Sequence, residues 1–332
     1  MPRIDVVAIG NAIVDIVCRC DDDALDLIGV AKGKMRIVEN SEFNKAVLGK
    51  LPTGLELAGG SAANTAVGIA SFGGSAAFIG KVANDTHGYT FQHDIRSMGV
   101  AFNSAMTTIA GKETSHSLIL VTPDGQRTMS TFLGASTEFD DALIDPGLIA
   151  SAAFTYLEGY VFDRPASKAA YTKAVKIASA NRQKVALALS DPDCVDRHRR
   201  DFLELMRTGV DVLFANEREL LTLYSGSSLE ESIRRVGRDV PLAVVTRSEN
   251  GSMIISNETT LAVPAERVRT VIDATGAGDL YAAGFLFGLK RGLGLAQAGR
   301  LASFAASEII SQVGARPEVR LGQLARIRGL LQ

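Results

Sequence analysis

The sequence predicts an α/β fold of three layers, an α/β/α sandwich, around a central and mostly parallel sheet, with a small second β-sheet alongside. Two observations carry the prediction. Short apolar runs alternate with helix-period segments along most of the chain, the order that builds a parallel sheet covered on both faces. Two stretches then interrupt that order with strand patterns that have no crossover helix between them.

In chain order the apolar runs are 5–9, 76–79, 153–157, 185–189, 210–214 and 242–245. None alternates apolar with polar residues, as expected for strands buried on both faces. A further strand-like run is 268–272. Between the runs lie helical segments. Ala170, Ala174 and Ile177 share one face of 166–180, whereas 61–71 and 280–290 are apolar nearly all round, which predicts helices deep in the molecule. The interruptions are 12–20 with 35–38, and 115–121 with 128–133, the second pair flanking the turn Pro123-Asp124-Gly125. These four segments are expected to form the small sheet.

Composition excludes several function classes. With 332 residues, 46% of them hydrophobic, the chain can bury a large core. A net charge of −2 argues against a nucleic-acid partner. The densest basic cluster, Arg197-His198-Arg199-Arg200, reads as a solvated helix start. Three cysteines without a repeating framework argue for a reducing compartment. No apolar stretch suits a membrane span or a signal peptide, so the expected location is the cytoplasm, with no membrane partner.

The sharpest motif is Asp273-Ala274-Thr275-Gly276-Ala277-Gly278-Asp279, followed by the apolar helix. Small residues just before a helix leave its first N–H groups bare and convergent, which makes an anion site. A carboxylate there repels a phosphate, so its useful role is general base toward a hydroxyl that attacks one.

Five other motifs supplement it. In Gly59-Gly60-Ser61-Ala62-Ala63-Asn64, two glycines allow close backbone approach, and Asn64 lies one turn into a helix. A tight turn with an exposed Asn would read the same. Gly10-Asn11-Ala12-Ile13-Val14-Asp15 sits at the carboxyl end of the first strand, where open α/β sheets bind ligands. Asp15 breaks an apolar run, either to hold vicinal hydroxyls or as the outer face of an edge strand. Asn216 and Glu219 share a helix face, to orient hydrated Mg²⁺ and phosphates or simply to cap the helix. The strand and turn from Val244 to Gly251 place Thr246 and Gly251 where nucleotide phosphates could lie, and Leu301 to Ser307 offers a small-residue face to a flat ring or to another helix. Each Gly-Lys pair lacks the Ser or Thr of a Walker A loop, and no Gly-x-Gly is completed to a dinucleotide fingerprint.

Taken together and in order, these motifs resemble the ribokinase-like (PfkB) carbohydrate and nucleoside kinases over nearly the whole chain. Gly59–Gly60 with Asn64 is similar to the amino-terminal signature, Asp273 to Asp279 to the carboxy-terminal one, and Asn216 with Glu219 to the N-x-x-E motif. The resemblance implies one kinase domain over 1–332, a lid from about 12–40 and 104–134, and a nucleotide-binding part at about 185–332. It implies ATP and Mg²⁺, with Glu219 acting on the metal indirectly. Asp279 carries over as base, and Gly276, Ala277 and Gly278 as the anion hole. Asn11, Asp15, Gly59, Gly60 and Asn64 correspond to substrate positions, and Asn216, Thr246, Gly251, Ser303 and Ala306 to ATP positions. Asp273, Thr275 and Gly314 are the candidates for a monovalent cation, K⁺. Two departures stand out: Ala274 replaces the usual Thr, and Ser303 stands where ribokinases often have Asn.

Within the family the adenosine kinases are most resembled. Asn11 and Asp15 have their spacing, the segment from Asp15 to Gly59 (59 − 15 = 44) is long, and Ser190-Asp191-Pro192-Asp193-Cys194 departs from the D-x-N-x-R of sugar kinases. Met35, Leu133, Tyr160 and Phe162 are candidate walls of a base slot, or core. The expected reaction is 5′-phosphorylation of adenosine by a monomer or homodimer. The alternatives are a ribose- or fructose-type sugar kinase and a non-catalytic nucleoside-binding protein.

Overall fold

Apolar runs separated by helix-length spacers favour parallel pairing, because the chain can return along a helix before laying the next strand. The computed structural model, which describes residues 4–124, 126–256 and 259–332, has that arrangement. Among the described residues the large sheet has nine strands. Their spatial order is Thr260–Val263, Ser252–Ser256, Leu242–Thr246, Val212–Asn216, Lys184–Ala188, Ala152–Glu158, Ile4–Ile9, Ala76–Ile79 and Val100–Phe102. Pairing is parallel except that Ser252–Ser256 runs antiparallel to both its neighbours, forming an edge hairpin with Thr260–Val263.

Helices cover both faces. On one, Ser61–Ser71, Ala277–Lys290 and Leu295–Ile309 contribute to a single apolar cluster with Phe72, Phe78 and Phe285. Small residues let these helices approach: a Cβ at Gly68 would lie 2.6 Å from that of Ala283. On the other face, Pro165–Ala180 and Pro192–Gly209 pack with Phe162, Tyr171 and Phe202. The basic cluster falls within Pro192–Gly209, where Arg197 pairs with Asp163 and Arg199 with Asp196.

One expected strand does not form. Residues 268–272 are irregular, and Val271 and Ile272 are 56% and 48% exposed. The edge hairpin takes the place beside Leu242–Thr246, so this β-branched run has no strand to pair with.

The small sheet runs Met35–Val38, Arg127–Phe132, Ser115–Val121, Ile13–Arg19 and Leu55–Gly59. Gly125, part of the expected turn in its hairpin, lies outside the described residues. Leu55–Gly59 carries too little alternation to announce a strand. The period of two sorts the side chains of this sheet. Ile13, Asp15, Met35, Ile37, Ser117, Ile119, Arg127 and Met129 face a cavity against the large sheet. Ile16, Cys18, Leu118 and Leu120 face the opposite way, onto Leu25, Ile28 and Val47.

Candidate active site

The carboxyl ends of the parallel strands deliver Asn11, Glu158, Ser190, Asn216 and Thr246 to one cavity of about 430 Å³, roofed by the small sheet. This is the edge at which open α/β sheets bind ligands.

Asp279 stands in the first turn of Ala277–Lys290 and points into this cavity. Its carboxylate accepts a hydrogen bond from Ser61 Oγ (2.6 Å) and another from Asn64 Nδ2 (3.0 Å). Burial pushes the carboxyl above its ordinary value, and these two donors pull it back toward ionisation. Gly276, at φ +79°, makes the turn into the helix, and a Cβ there would lie 2.8 Å from that of Ala315. Gly278 faces open space. The Ala277 amide instead closes a turn on the Ala274 carbonyl at 3.3 Å.

The glycine pair is required by close approach. A Cβ at Gly59 would fall 2.2 Å from Asp15 Oδ2, and one at Gly60 (φ +93°) would fall 2.2 Å from the Asn11 carbonyl oxygen. Asp15 faces the cavity, and among the described residues no hydrogen-bond donor reaches it. Burial raises it to about 7, against the pull of Arg127 and Arg316. Asn11 is held by Glu158, whose carboxylate accepts from Asn11 Nδ2 (2.9 Å) and from the amides of Asn11 (3.3 Å) and Ala62 (2.8 Å). Glu158 is likewise raised by burial, to about 7.

Glu158, Arg127 and Arg316 were invisible to motif reading. Only Glu158 left a trace, as the lone acid that ends the run 153–157. Arg127 reaches from the small sheet to pair with Asp273, and its Nε is buried without a partner among the described residues.

Asn216 and Glu219 form a capping box. Glu219 accepts from the Asn216 amide (2.9 Å) and Nδ2 (2.6 Å), while Asn216 Oδ1 accepts from the Glu219 amide (2.8 Å). Both also line the cavity, so cap and site coincide, and burial raises Glu219 to about 7. Thr246 lines the cavity, whereas Gly251 shapes the neighbouring hairpin, where a Cβ would lie 2.1 Å from the Val263 carbonyl oxygen. Ser303 spends its hydroxyl on the loop after Val263, accepting from the Glu266 amide (2.8 Å) and donating to the Pro264 carbonyl (3.2 Å). Ala306 lies three residues further along the same helix, half-buried.

Asp273, Thr275 and Gly314 come together. Asp273 accepts from the amides of Thr275 (2.9 Å) and Gly314 (2.7 Å) and from the Arg127 guanidinium. Of the expected slot walls, Met35, Leu133 and Tyr160 line the cavity, while Phe162 is core, stacked on Phe202 at 4.1 Å between ring centres.

Asp279 at a helix start, with Asn11, Asp15 and Glu219 in the same roofed cavity, is a set of groups that suits a hydroxyl-directed phosphotransferase. Residues 6–320 match the model of the pfkB family of carbohydrate kinases, and the chain belongs to that family. It is thus an ATP-using kinase of sugar or nucleoside hydroxyls. The chain is 44% identical to the adenosine kinase of Sinorhizobium meliloti, with 98% of this chain and 99% of that one covered at a TM-score of 0.93. It is 42% identical to a probable sugar kinase from Rhizobium etli CFN 42, with both chains covered in full at a TM-score of 0.95. It is 27% identical to the 5-dehydro-2-deoxygluconokinase of Shouchella clausii (strain KSM-K16), covering 93% of this chain and 90% of that one.

Proposed function

We propose that the chain transfers the γ-phosphoryl group of ATP to the 5′-hydroxyl of adenosine. The observation that carries this reading is an apolar slot in the same cavity as Asp15 and Asp279. Met35, Ile37, Met129, Leu133 and Tyr160 line it. A nucleoside has a flat base to fill such a slot, and free ribose or fructose has none. The likeness to a bacterial adenosine kinase points the same way.

In this reading Asp15 accepts the vicinal ribose hydroxyls, and Asn11, fixed by Glu158, holds the sugar beside it. Asp279 takes the proton of the 5′-hydroxyl as its oxygen bonds to phosphorus and ADP leaves. The turn at Gly276–Gly278 and the helix start stabilise charge on the transferring group. The carboxylate of Glu219, set by Asn216, suits the water shell of Mg²⁺, which when bound neutralises phosphate charge. Thr246 lies beside the same strand ends. The small sheet keeps water from the reaction.

A sugar acceptor is the second reading, favoured by the sugar-phosphorylating relative named above, since Asn11, Asp15 and Glu158 would serve the hydroxyls of either. Incubation with Mg-ATP and a panel of adenosine, other nucleosides, ribose and fructose, followed by ADP release, separates them. Turnover with free sugars alone would sink the nucleoside reading.

A further inference from the structure

Arg316 belongs to no motif, yet its guanidinium lies directly behind the support of the base. Its side chain is only 8% exposed. Nε donates to Asn64 Oδ1 at 3.3 Å, one terminal nitrogen pairs with Asp94, and the other donates to the Gly59 carbonyl at 3.4 Å. The Phe91 ring packs against the guanidinium, 5.7 Å from its carbon.

Arginine offers donors only, so the amide atom of Asn64 that faces it has to be the oxygen. The NH₂ is thereby turned to Asp279 Oδ2, 3.0 Å away. With the amide reversed, an oxygen would face the carboxylate, two acceptors with no proton between them, and an NH₂ would face the guanidinium. Asn64 is 3% exposed, so water cannot substitute for either partner.

We propose that Arg316 is a positioning residue that fixes the orientation of the Asn64 amide, so that Asn64 donates to Asp279 and favours its ionised, proton-accepting form. The kinetic consequence rests on the reading of Asp279 as base. The other titratable groups facing Asp279 are Asp15, Glu158, Tyr156 and Tyr160. The charges of Arg316 and Arg127 act on Asp15, so a variant that keeps the charge and loses Nε isolates the amide link.

Arg316→Lys is that variant. The test is a ¹³C-carboxyl NMR titration of the full chain, with the Asp279 resonance assigned by its loss in Asp279→Asn. Losing one hydrogen bond to the carboxylate raises the Asp279 midpoint by ~0.5–1 unit, and the acid limb of kcat moves up with it. In an Asn64→Ala background Arg316→Lys adds nothing, because its effect passes through Asn64. Should Arg316→Lys fail to fold, Asp94→Asn frees the far end of the guanidinium and moves the midpoint the same way by less. An unmoved midpoint in the folded variant, even with a lowered melting temperature, overturns the proposal. So do shifts that add in full to those of Asn64→Ala. The titration needs no acceptor, so a moved midpoint in a protein inactive on adenosine sinks the substrate reading alone.

Discussion

Replacing Asp15 by Asn should make the protein more stable and a worse enzyme, and the stability gain should depend on pH. Burial lifts the Asp15 carboxyl from an ordinary 3.8 to about 7, already net of the favourable pull of Arg127 and Arg316. A folded value above the unfolded one means the folded state is favoured while the group is protonated. That contribution is whole below about 3.8 and is lost as pH rises to about 7. At 1.36 kcal/mol per pH unit the full loss at pH 8 is about 4 kcal/mol, and at pH 5 it is under about 2 kcal/mol. Asn does not titrate. Asp15→Asn should therefore melt roughly 5 °C above the wild type at pH 8, given the unfolding entropy of a chain of 332 residues, and much closer to it at pH 5. On the proposed role of Asp15 the variant also loses charged hydrogen bonds to the acceptor, so its adenosine KM should rise between about tenfold and a hundredfold at pH 8. Calorimetry at the two pH values and steady-state kinetics at pH 8 provide the readings. A pH-independent difference in melting temperature would refute the account of Asp15 as a desolvated carboxylate. An unchanged KM would refute its contact with the acceptor.

Three further outcomes are expected. Asp279→Asn should lower kcat by roughly 10²–10⁴ while changing KM less than about threefold, read in steady-state and single-turnover assays; a near-normal rate rejects the base assignment. Gly60→Ala forces a side chain onto φ +93° and a Cβ within 2.2 Å of the Asn11 carbonyl oxygen. It should cost at least about 2 kcal/mol in urea unfolding and weaken acceptor binding, and a wild-type-like protein would contradict the geometry of that turn. Leu133→Ala should raise the adenosine KM by about tenfold and leave turnover of any accepted free sugar unchanged. Equal effects on both acceptors would mean that the slot does not hold the base.

Much of the fold was legible because its signals are local. Runs such as 76–79 and 242–245 declare buried parallel strands within their own few residues, and the glycines of 59–60 and 276–278 declare tight turns into helices. The run 268–272 misled, because the same β-branched composition forms a strand only where a partner edge is free, and the hairpin Ser252–Ser256/Thr260–Val263 has taken it. Phe162 misled in a similar way, since an aromatic suits a ligand slot and a core equally until its neighbours are known.

The sequence by itself therefore determined the α/β architecture, the place of Asp279 behind its glycine turn, and the pairing of Asn216 with Glu219, three residues apart. Only the tertiary structure decided which charges meet. Arg127 finds Asp273 across 146 residues, Asn64 finds Asp279 across 215, and Arg316 finds Asn64 across 252. A periodic pattern or a turn motif reports what neighbours along the chain must do. A guanidinium or carboxylate carries no mark of its partner, which is set by where two sheets and three helices bring their ends together.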